Sequence, residues 1–377
     1  MSVGDQFAND SNVNQRGERI PPRISIAMAT YNGARYIRAQ LDSLAAQTLL
    51  PYELVVTDDG SSDTTLDIVT EFAHEAPFPV HIHSNKIRLG YAANFLRAAA
   101  LCEGDFIAFC DQDDVWMAKK IFACVSAFAE PDVLLVMHAT LVVDADLRTR
   151  NKVLPVFNDD VTVGPLDVPL WEWRPGFSMI VRKSCLSYID SVIRMMSKTN
   201  VLKYWVGHDR VVYLITHSLG KVVLLKTPLA LYRQHSNNVF GIPIHKPLVR
   251  VPNKKEASSA IRFYLRSNKL CKHLATMMDV IAQEQSSVNI RENALKARQY
   301  WSHQGDNWRK RASLYCTSNV LYKVTNLGIL MVDGAYRPSQ RGGFGLRGLA
   351  KDLLCGLFAR HVIAARGTEE QSAVDYS

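Results

Sequence analysis

Two clusters of carboxylates in this sequence have the types and spacing to do chemistry. One is Asp58-Asp59, and the other is Asp111-Gln112-Asp113-Asp114. Carboxylates at i and i+2 on an extended turn can point the same way. Such a pair forms a hard-oxygen site suited to Mg²⁺ or Mn²⁺, ions that keep waters and take substrate phosphate oxygens as further ligands. Like charges so close together repel, so Asp111 and Asp113 read as a cation site ahead of mere helix capping. A third polar cluster, Thr30-Tyr31-Asn32, carries no charge. The chain has neither a Gly-x-x-x-x-Gly-Lys-Ser/Thr loop nor a Gly-x-Gly-x-x-Gly turn after its first strand. Phosphate cradling by a glycine loop is therefore excluded, as are the NTPase and dehydrogenase readings that depend on it. A nucleotide would be held through base and ribose by strand-end side chains, with a metal on its diphosphate.

The elements that must position these clusters follow from periodicity. Short apolar runs at Ile24–Ala29, Glu53–Thr57, Val80–His83, Phe106–Cys110 and Val133–His138 read as strands. Helical patterns fall between them, at Ala34–Ala46, from the 58–63 turn to His74, at Gly90–Leu101 and at Val115–Phe128. This alternation predicts an α/β fold with a mostly parallel sheet flanked by helices. In such sheets ligands bind beyond the carboxyl ends of the strands. All three polar clusters directly follow strands and so should face one crevice. Further on, Trp171–Arg182 reads as a turn and strand, Val206–Ser218 as a helix and Lys221–Leu225 as a strand. From about residue 250 the pattern is helical and basic. The expected divisions are a flexible lead-in at 1–21, a catalytic domain at 22–247 and a basic helical region at 248–377.

With 47% hydrophobic and 21% charged residues, the 377-residue chain has ordinary globular composition. Seven scattered cysteines without a Cys-x-x-Cys pair indicate no zinc ribbon or disulfide framework, and most read as small core residues. The N-terminal residues lack the apolar segment of a secretory signal, and no apolar run is long enough to span a bilayer. The expected location is the cytoplasm, with any membrane contact peripheral and on the inner face. Residues 231–311 hold 15 Lys/Arg against 5 Asp/Glu, a local excess of +10. No nucleic-acid recognition motif accompanies that charge. Residues 341–363 mix basic and apolar positions at helical spacing, a pattern suited either to a membrane interface or to packing on the protein.

Five segments together resemble family 2 glycosyltransferases of the GT-A fold, nearest to the bacterial rhamnosyltransferase-like members. They are Ile24-Ser-Ile-Ala-Met-Ala-Thr-Tyr-Asn-Gly33, Val55-Val-Thr-Asp-Asp-Gly-Ser-Ser-Asp63, Gly90-Tyr-Ala-Ala-Asn94, Phe109-Cys-Asp-Gln-Asp-Asp114 and Tyr232-Arg-Gln-His-Ser-Asn-Asn238. The resemblance covers roughly residues 21–245 and implies an inverting transfer of a sugar from a nucleoside-diphosphate donor to a glycan or lipid-linked acceptor. It implies that Tyr31 packs on the base, Asp59 hydrogen-bonds the base edge, and Asp58 supports the turn. Arg88 would lie near the diphosphate, Asp111 would contact donor ribose or sugar, and Asp113 would bind Mg²⁺ or Mn²⁺. Asp209, within Trp205-Val-Gly-His-Asp-Arg210, falls where the family carries its general base, while His208 departs from the common pattern. His235 would complete the metal shell or, with Arg233, contact a phosphate. Pro175–Ser178 would shape the acceptor side, and Trp171 and Trp173 would stack on a sugar. The competing readings are a nucleotide- or glycan-binding protein without turnover, and a sugar nucleotidyltransferase.

Overall fold

A strand that buries both faces must be covered by helices on each side, and three strands here do so. Ile24–Thr30 (β1), Glu53–Asp58 (β2) and Phe106–Cys110 (β4) are buried at every residue. The structure is a computed structural model and describes residues 22–167, 174–188, 207–236, 238, 254–338 and 343–357. The chain divides into two compact units, one of residues 1–165 with 173–243, the other of 166–172 with 244–377.

Among the described residues, the strands of the first unit form one sheet. Its remaining strands are Val80–Ser84 (β3), Val115–Trp116 (β5), Val133–Val143 (β6), Thr149–Leu154 (β7), Val161–Val163 (β8), Met179–Arg182 (β9) and Lys221–Arg233 (β10). The order is β3-β2-β1-β4-β9-β6-β10-β5, with β7 paired to β6 and β8 to β10. The pairings make β1, β2, β3, β4, β6 and β10 run one way, while β5, β7, β8 and β9 run against them. This is the largely parallel α/β architecture of the GT-A type. The helices are Ile37–Ala45 (α1), Thr65–Glu75 (α2), Tyr91–Leu101 (α3), Lys120–Ser126 (α4) and His208–Leu219 (α5). The chain order reverses at β1, with β2 on one side and β4 on the other, which creates a crevice at their carboxyl ends. Register brings the polar clusters there: Thr30 lies opposite Asp58, and Met28 opposite Cys110.

Several segments differ from the sequence reading. The helix expected from Val115 starts only at Lys120, because Val115 and Trp116 pair antiparallel with Leu231 and Ala230 of β10. These β-branched and aromatic residues follow their strand propensity once an edge is available. Strand β10 runs to Arg233, well past the expected end at Leu225. Pro228, which cannot donate to a ladder, sits between two register shifts that let the strand continue. Strands β7 and β8 were not anticipated: they are short, mostly exposed and lack an apolar run.

The second unit is helical, with Lys254–Glu284 (α6), Val288–Cys316 (α7), Val320–Val332 (α8) and Gly345–Lys351 (α9), the last followed by a π-helical turn at Asp352–Leu357. The three-residue link between α6 and α7 suits antiparallel neighbours. Within the 341–363 stretch, residues 343–357 pack in this unit. Asp352 is fully buried and accepts Arg311 Nε at 2.7 Å, Tyr315 OH at 2.7 Å and Tyr336 OH at 2.8 Å. Among the described residues no helix is long and apolar enough to cross a membrane.

Candidate active site

The crevice beyond β1, β2 and β4 is a cleft of about 980 Å³. Thr30, Tyr31, Asn32, Asp59, Arg88, Asp111, Asp113, Asp209 and His235 all line it; Asp58 does not. Asp58 is instead consumed by its own turn. Its Oδ1 accepts the N–H groups of Gly60 at 3.0 Å and Ser61 at 2.8 Å, and its Oδ2 accepts Thr30 Oγ1 at 2.7 Å. Asn32 has φ +48°, a left-handed conformation that asparagine tolerates, and its Oδ1 accepts the Ser62 N–H at 2.8 Å. These bonds tie the β1 turn to the β2 turn.

Asp59 organises the far wall. Its Oδ1 accepts Asn85 Nδ2 at 2.9 Å and the Leu89 N–H at 2.7 Å; its Oδ2 accepts the Gly90 N–H at 2.8 Å. Gly90 has φ +83°, so a side chain there would be strained. Oδ2 accepts only one of these bonds, which leaves capacity for another donor. The same 85–90 loop carries Arg88, whose guanidinium lies 3.9 Å from the Tyr31 ring centroid. One face of Tyr31 is thus occupied by a cation, and a base stacking on that face must move it.

Gln112 carries a function that the sequence did not suggest. Its amide makes a two-way clamp on the Tyr31 backbone, with Tyr31 N–H to Oε1 and Nε2 to Tyr31 O both at 3.0 Å. A Cβ on Gly33 would fall 2.3 Å from that Oε1, so the close approach requires glycine. The β1 turn is thereby locked to the acidic turn.

The acidic turn is held from β10. The Arg233 N–H donates to Asp114 Oδ1 at 2.9 Å, its Nε to the Asp113 carbonyl at 2.7 Å, and its Nη1 to the Ala145 carbonyl at 2.7 Å. Arg233 is buried in this role and does not line the cleft, which counts against the expected phosphate contact. His235 Nε2 lies 2.8 Å from Asp113 Oδ2, and its ring stacks on Tyr36 with centroids 4.6 Å apart. Asp111, Asp113 and Asp114 each offer an oxygen, all within 4.8 Å of one another. Asp114 Oδ2 is buried and has no hydrogen-bond partner. Burial, together with the charges of Asp113 and Asp209, pushes the Asp111 carboxyl up to about 8 against the pull of Lys120. Asp114 is raised well above its usual range by burial, then by Asp113 and Asp111. Hard oxygen donors, an unpartnered buried oxygen and uncompensated negative charge fit a divalent cation.

Lys120 is a second buried cation whose charge acts on this turn. Its ammonium donates to the Phe177 carbonyl at 2.7 Å and lies 3.3 Å from the Trp116 ring centroid, and burial pushes it down to about 8. It links the start of α4 to the 3₁₀ turn at Gly176–Ser178. Pro175, Gly176 and Phe177 line the cleft opposite β1. Trp171, Trp173 and Trp205 lie outside the described residues.

Asp209 stands in the first turn of α5, where the helix dipole favours a carboxylate. It is not the cap: Gly207 occupies that position, and no side chain caps it. Asp209 Oδ1 accepts the Arg210 N–H at 2.7 Å. Beside it, His208 is buried and stacked on Phe95 at 4.0 Å, with both ring nitrogens unpartnered. Burial pushes its pKa down to about 4, so the ring is neutral. As a departure from the common pattern, His208 gave no sequence signal for this placement in the cleft wall.

Residues 25–191 match the profile of Glycosyl transferase family 2. The chain is 30% identical over 226 residues to an uncharacterized glycosyltransferase of Nostoc sp., covering 57% of this chain and 66% of that one. It is 30% identical over 237 residues to the dTDP-rhamnosyl transferase RfbG of Shigella flexneri, covering 60% of this chain and 80% of that one. The match spans just under two thirds of the length of the Nostoc relative. Among solved structures, S. aureus TarS 1-349 in complex with UDP-GlcNAc aligns with a TM-score of 0.46 at 16% identity, covering 90% of this chain and 93% of that one. That likeness is too loose to carry a functional argument.

Proposed function

The chain belongs to glycosyltransferase family 2, and from that premise we propose that it is a metal-dependent inverting transferase. It would move a sugar from a nucleoside-diphosphate donor to a hydroxyl of a glycan or lipid-linked acceptor during cell-surface polysaccharide synthesis. Rhamnose is the first sugar to try, on the strength of the likeness to RfbG. The catalytic part is residues 22–247, working on the cytoplasmic side. The observation that carries this reading is the convergence of Asp59, Asp111, Asp113 and Asp209 on one cleft although they are distant in sequence.

Tyr31 and Asp59 would take the nucleotide base, with Thr30, Asn32 and the supporting Asp58 fixing their turns. Arg88 would meet the diphosphate once it leaves the Tyr31 ring, and Asp111 the donor ribose or sugar. Asp113 would hold Mg²⁺ or Mn²⁺, with His235 beside it. Such an ion neutralises charge developing on the leaving diphosphate. Asp209 would accept the proton of the acceptor hydroxyl. The acceptor oxygen then bonds to the anomeric carbon from the face opposite the diphosphate, whose bond to that carbon breaks. The transition state has oxocarbenium character, by analogy with glycoside hydrolysis.

A screen of nucleoside-diphosphate sugars tests the proposal, reading release of the nucleoside diphosphate with and without Mn²⁺. Turnover of one donor that stops on chelation is expected. Tight donor binding without release in the presence of any glycan or lipid-linked acceptor would favour a binding protein.

A further inference from the structure

Helix α8, Val320–Val332, is built inside out. Its buried residues are Lys323, Asn326, Leu327 and Leu330. The two polar ones are satisfied inward: Lys323 Nζ donates to the Gly356 carbonyl at 2.7 Å, and Asn326 Nδ2 to Ser313 Oγ at 2.9 Å. The outward side carries Val320 at 63% exposure, Leu321 at 76%, Val324 at 51%, Met331 at 54% and Val332 at 88%. At about 100° per residue these five, with Thr325 and Gly328, fall within an arc of about 140° that contains no charged residue. Helices of water-soluble domains present the opposite arrangement, and a contiguous exposed apolar stripe marks an interaction surface.

Charge selects the occupant. Residues 254–338 and 343–357 of this unit hold sixteen Lys/Arg against seven Asp/Glu, a net +9. A second copy would bring like charge against like charge. An anionic bilayer offers an apolar interior for the stripe and attracts the net positive charge of the unit. We propose that the outer face of α8 is a docking surface for anionic membrane, seated in the headgroup boundary and not spanning it. The contact thus falls on α8; of the two readings the sequence left open for 341–363, membrane interface or packing on the protein, the described part follows the second and is pinned through Asp352. The inference is independent of the transferase reading, because its test measures binding alone.

Vesicle flotation of the full chain tests it, using phosphatidylcholine alone and an equimolar mixture with phosphatidylglycerol. The parent should float with the mixed vesicles and far less with the neutral ones. Leu321→Ser with Val332→Ser should weaken binding on the order of tenfold or more, since both side chains lose their transfer into the apolar phase. Thr325→Leu, on the same arc, should strengthen binding several-fold and does not depend on a variant that risks misfolding. The proposal is overturned if the parent binds neither vesicle, or if Thr325→Leu binds as the parent does. It is also overturned if the serine variant dissociates a dimer while vesicle binding stays unchanged.

Discussion

Two acidic centres in this molecule use carboxylates in opposite ways. In the helical unit, Asp352 stands alone and is matched on all sides by Arg311 and two tyrosine hydroxyls. Tyr264, Trp308 and Phe344 surround the guanidinium, with Phe344 4.3 Å away. In the cleft, Asp111, Asp113 and Asp114 crowd together, one buried oxygen lacks any partner, and the side chains of the two buried cations bond carbonyls instead of carboxylates: Arg233 those of Asp113 and Ala145, Lys120 that of Phe177. A carboxylate with its charge cancelled and its oxygens bonded serves folding. Carboxylates gathered without compensation store repulsion that an incoming cation relieves. The difference separates a structural acid from a functional one without reference to any relative.

The two centres should therefore fail differently. The largest effect is expected from Asp113→Ala, which should abolish transfer and weaken cation-dependent donor binding. The metal-free variant should melt no lower than the parent, because a like charge has been removed. Donor and Mn²⁺ affinities equal to the parent's would remove Asp113 from the cation site. Next comes Asp209→Asn, which keeps the shape but cannot take a proton. Single-turnover rates should fall about 10²- to 10⁴-fold, the usual cost of losing a general base. The melt should fall only slightly, since the variant loses no cap and only the charge–dipole contribution of a first-turn carboxylate, about 0.3–1 kcal/mol. Near-parental turnover would move the search to other acids of the acceptor side. Asp352→Ala should do the reverse: it strands a buried guanidinium and should cost about 3–5 kcal/mol in denaturation. Its cleft should still bind Mn²⁺ in the fraction that folds. A small stability loss there would erase the distinction drawn above.

The cleft was legible in the sequence because each cluster directly follows a strand, and strand ends in a parallel sheet converge whatever their separation along the chain. Phe106–Cys110 was read with its observed limits, and Tyr31, Asp59, Asp111, Asp113 and Asp209 line one cleft as expected, while Asp58 and Arg233 do not. What the sequence hid was side-chain partnership. Nothing in Gln112 announces that its amide grips the Tyr31 backbone, and nothing in Arg233 announces that its hydrogen bonds go to the backbone of the acidic turn, its neighbour Asp114 and Ala145. Both depend on register between elements far apart in sequence. Strand β5 was missed for the same reason, since only the β10 edge makes Val115 and Trp116 extended. The outward face of α8 was hidden differently. Its period is helical whichever side is buried, and only the structure says that Lys323 and Asn326 point in.

The smallest expected effect is on protons, and it reports directly on the cleft's stored charge. With Asp111 raised to about 8, the folded, metal-free protein keeps a proton on the acidic turn that the unfolded chain has already released. Between the ordinary carboxylate range and about 8 the unfolded state therefore binds fewer protons. Stability from this source is complete below that range and is lost as pH rises through about 8. A divalent cation must displace the retained proton, so its binding near pH 7 should release close to one proton from the cluster, with Asp111 and Asp114 titrating together. Calorimetry of Mn²⁺ binding in buffers of different ionisation enthalpy measures that release. At a free ion concentration about 100 times Kd the stabilisation should be roughly 2.7 kcal/mol. At fixed Mn²⁺ the melting shift should grow from about pH 6 to about pH 8, because the competing proton leaves. A shift that is flat across this range, with no proton released, would mean that the three carboxylates are already ionised and relieved of their repulsion in the metal-free fold. The acidic turn would then be a second structural centre like Asp352, and the cation site would have to be sought elsewhere along the cleft.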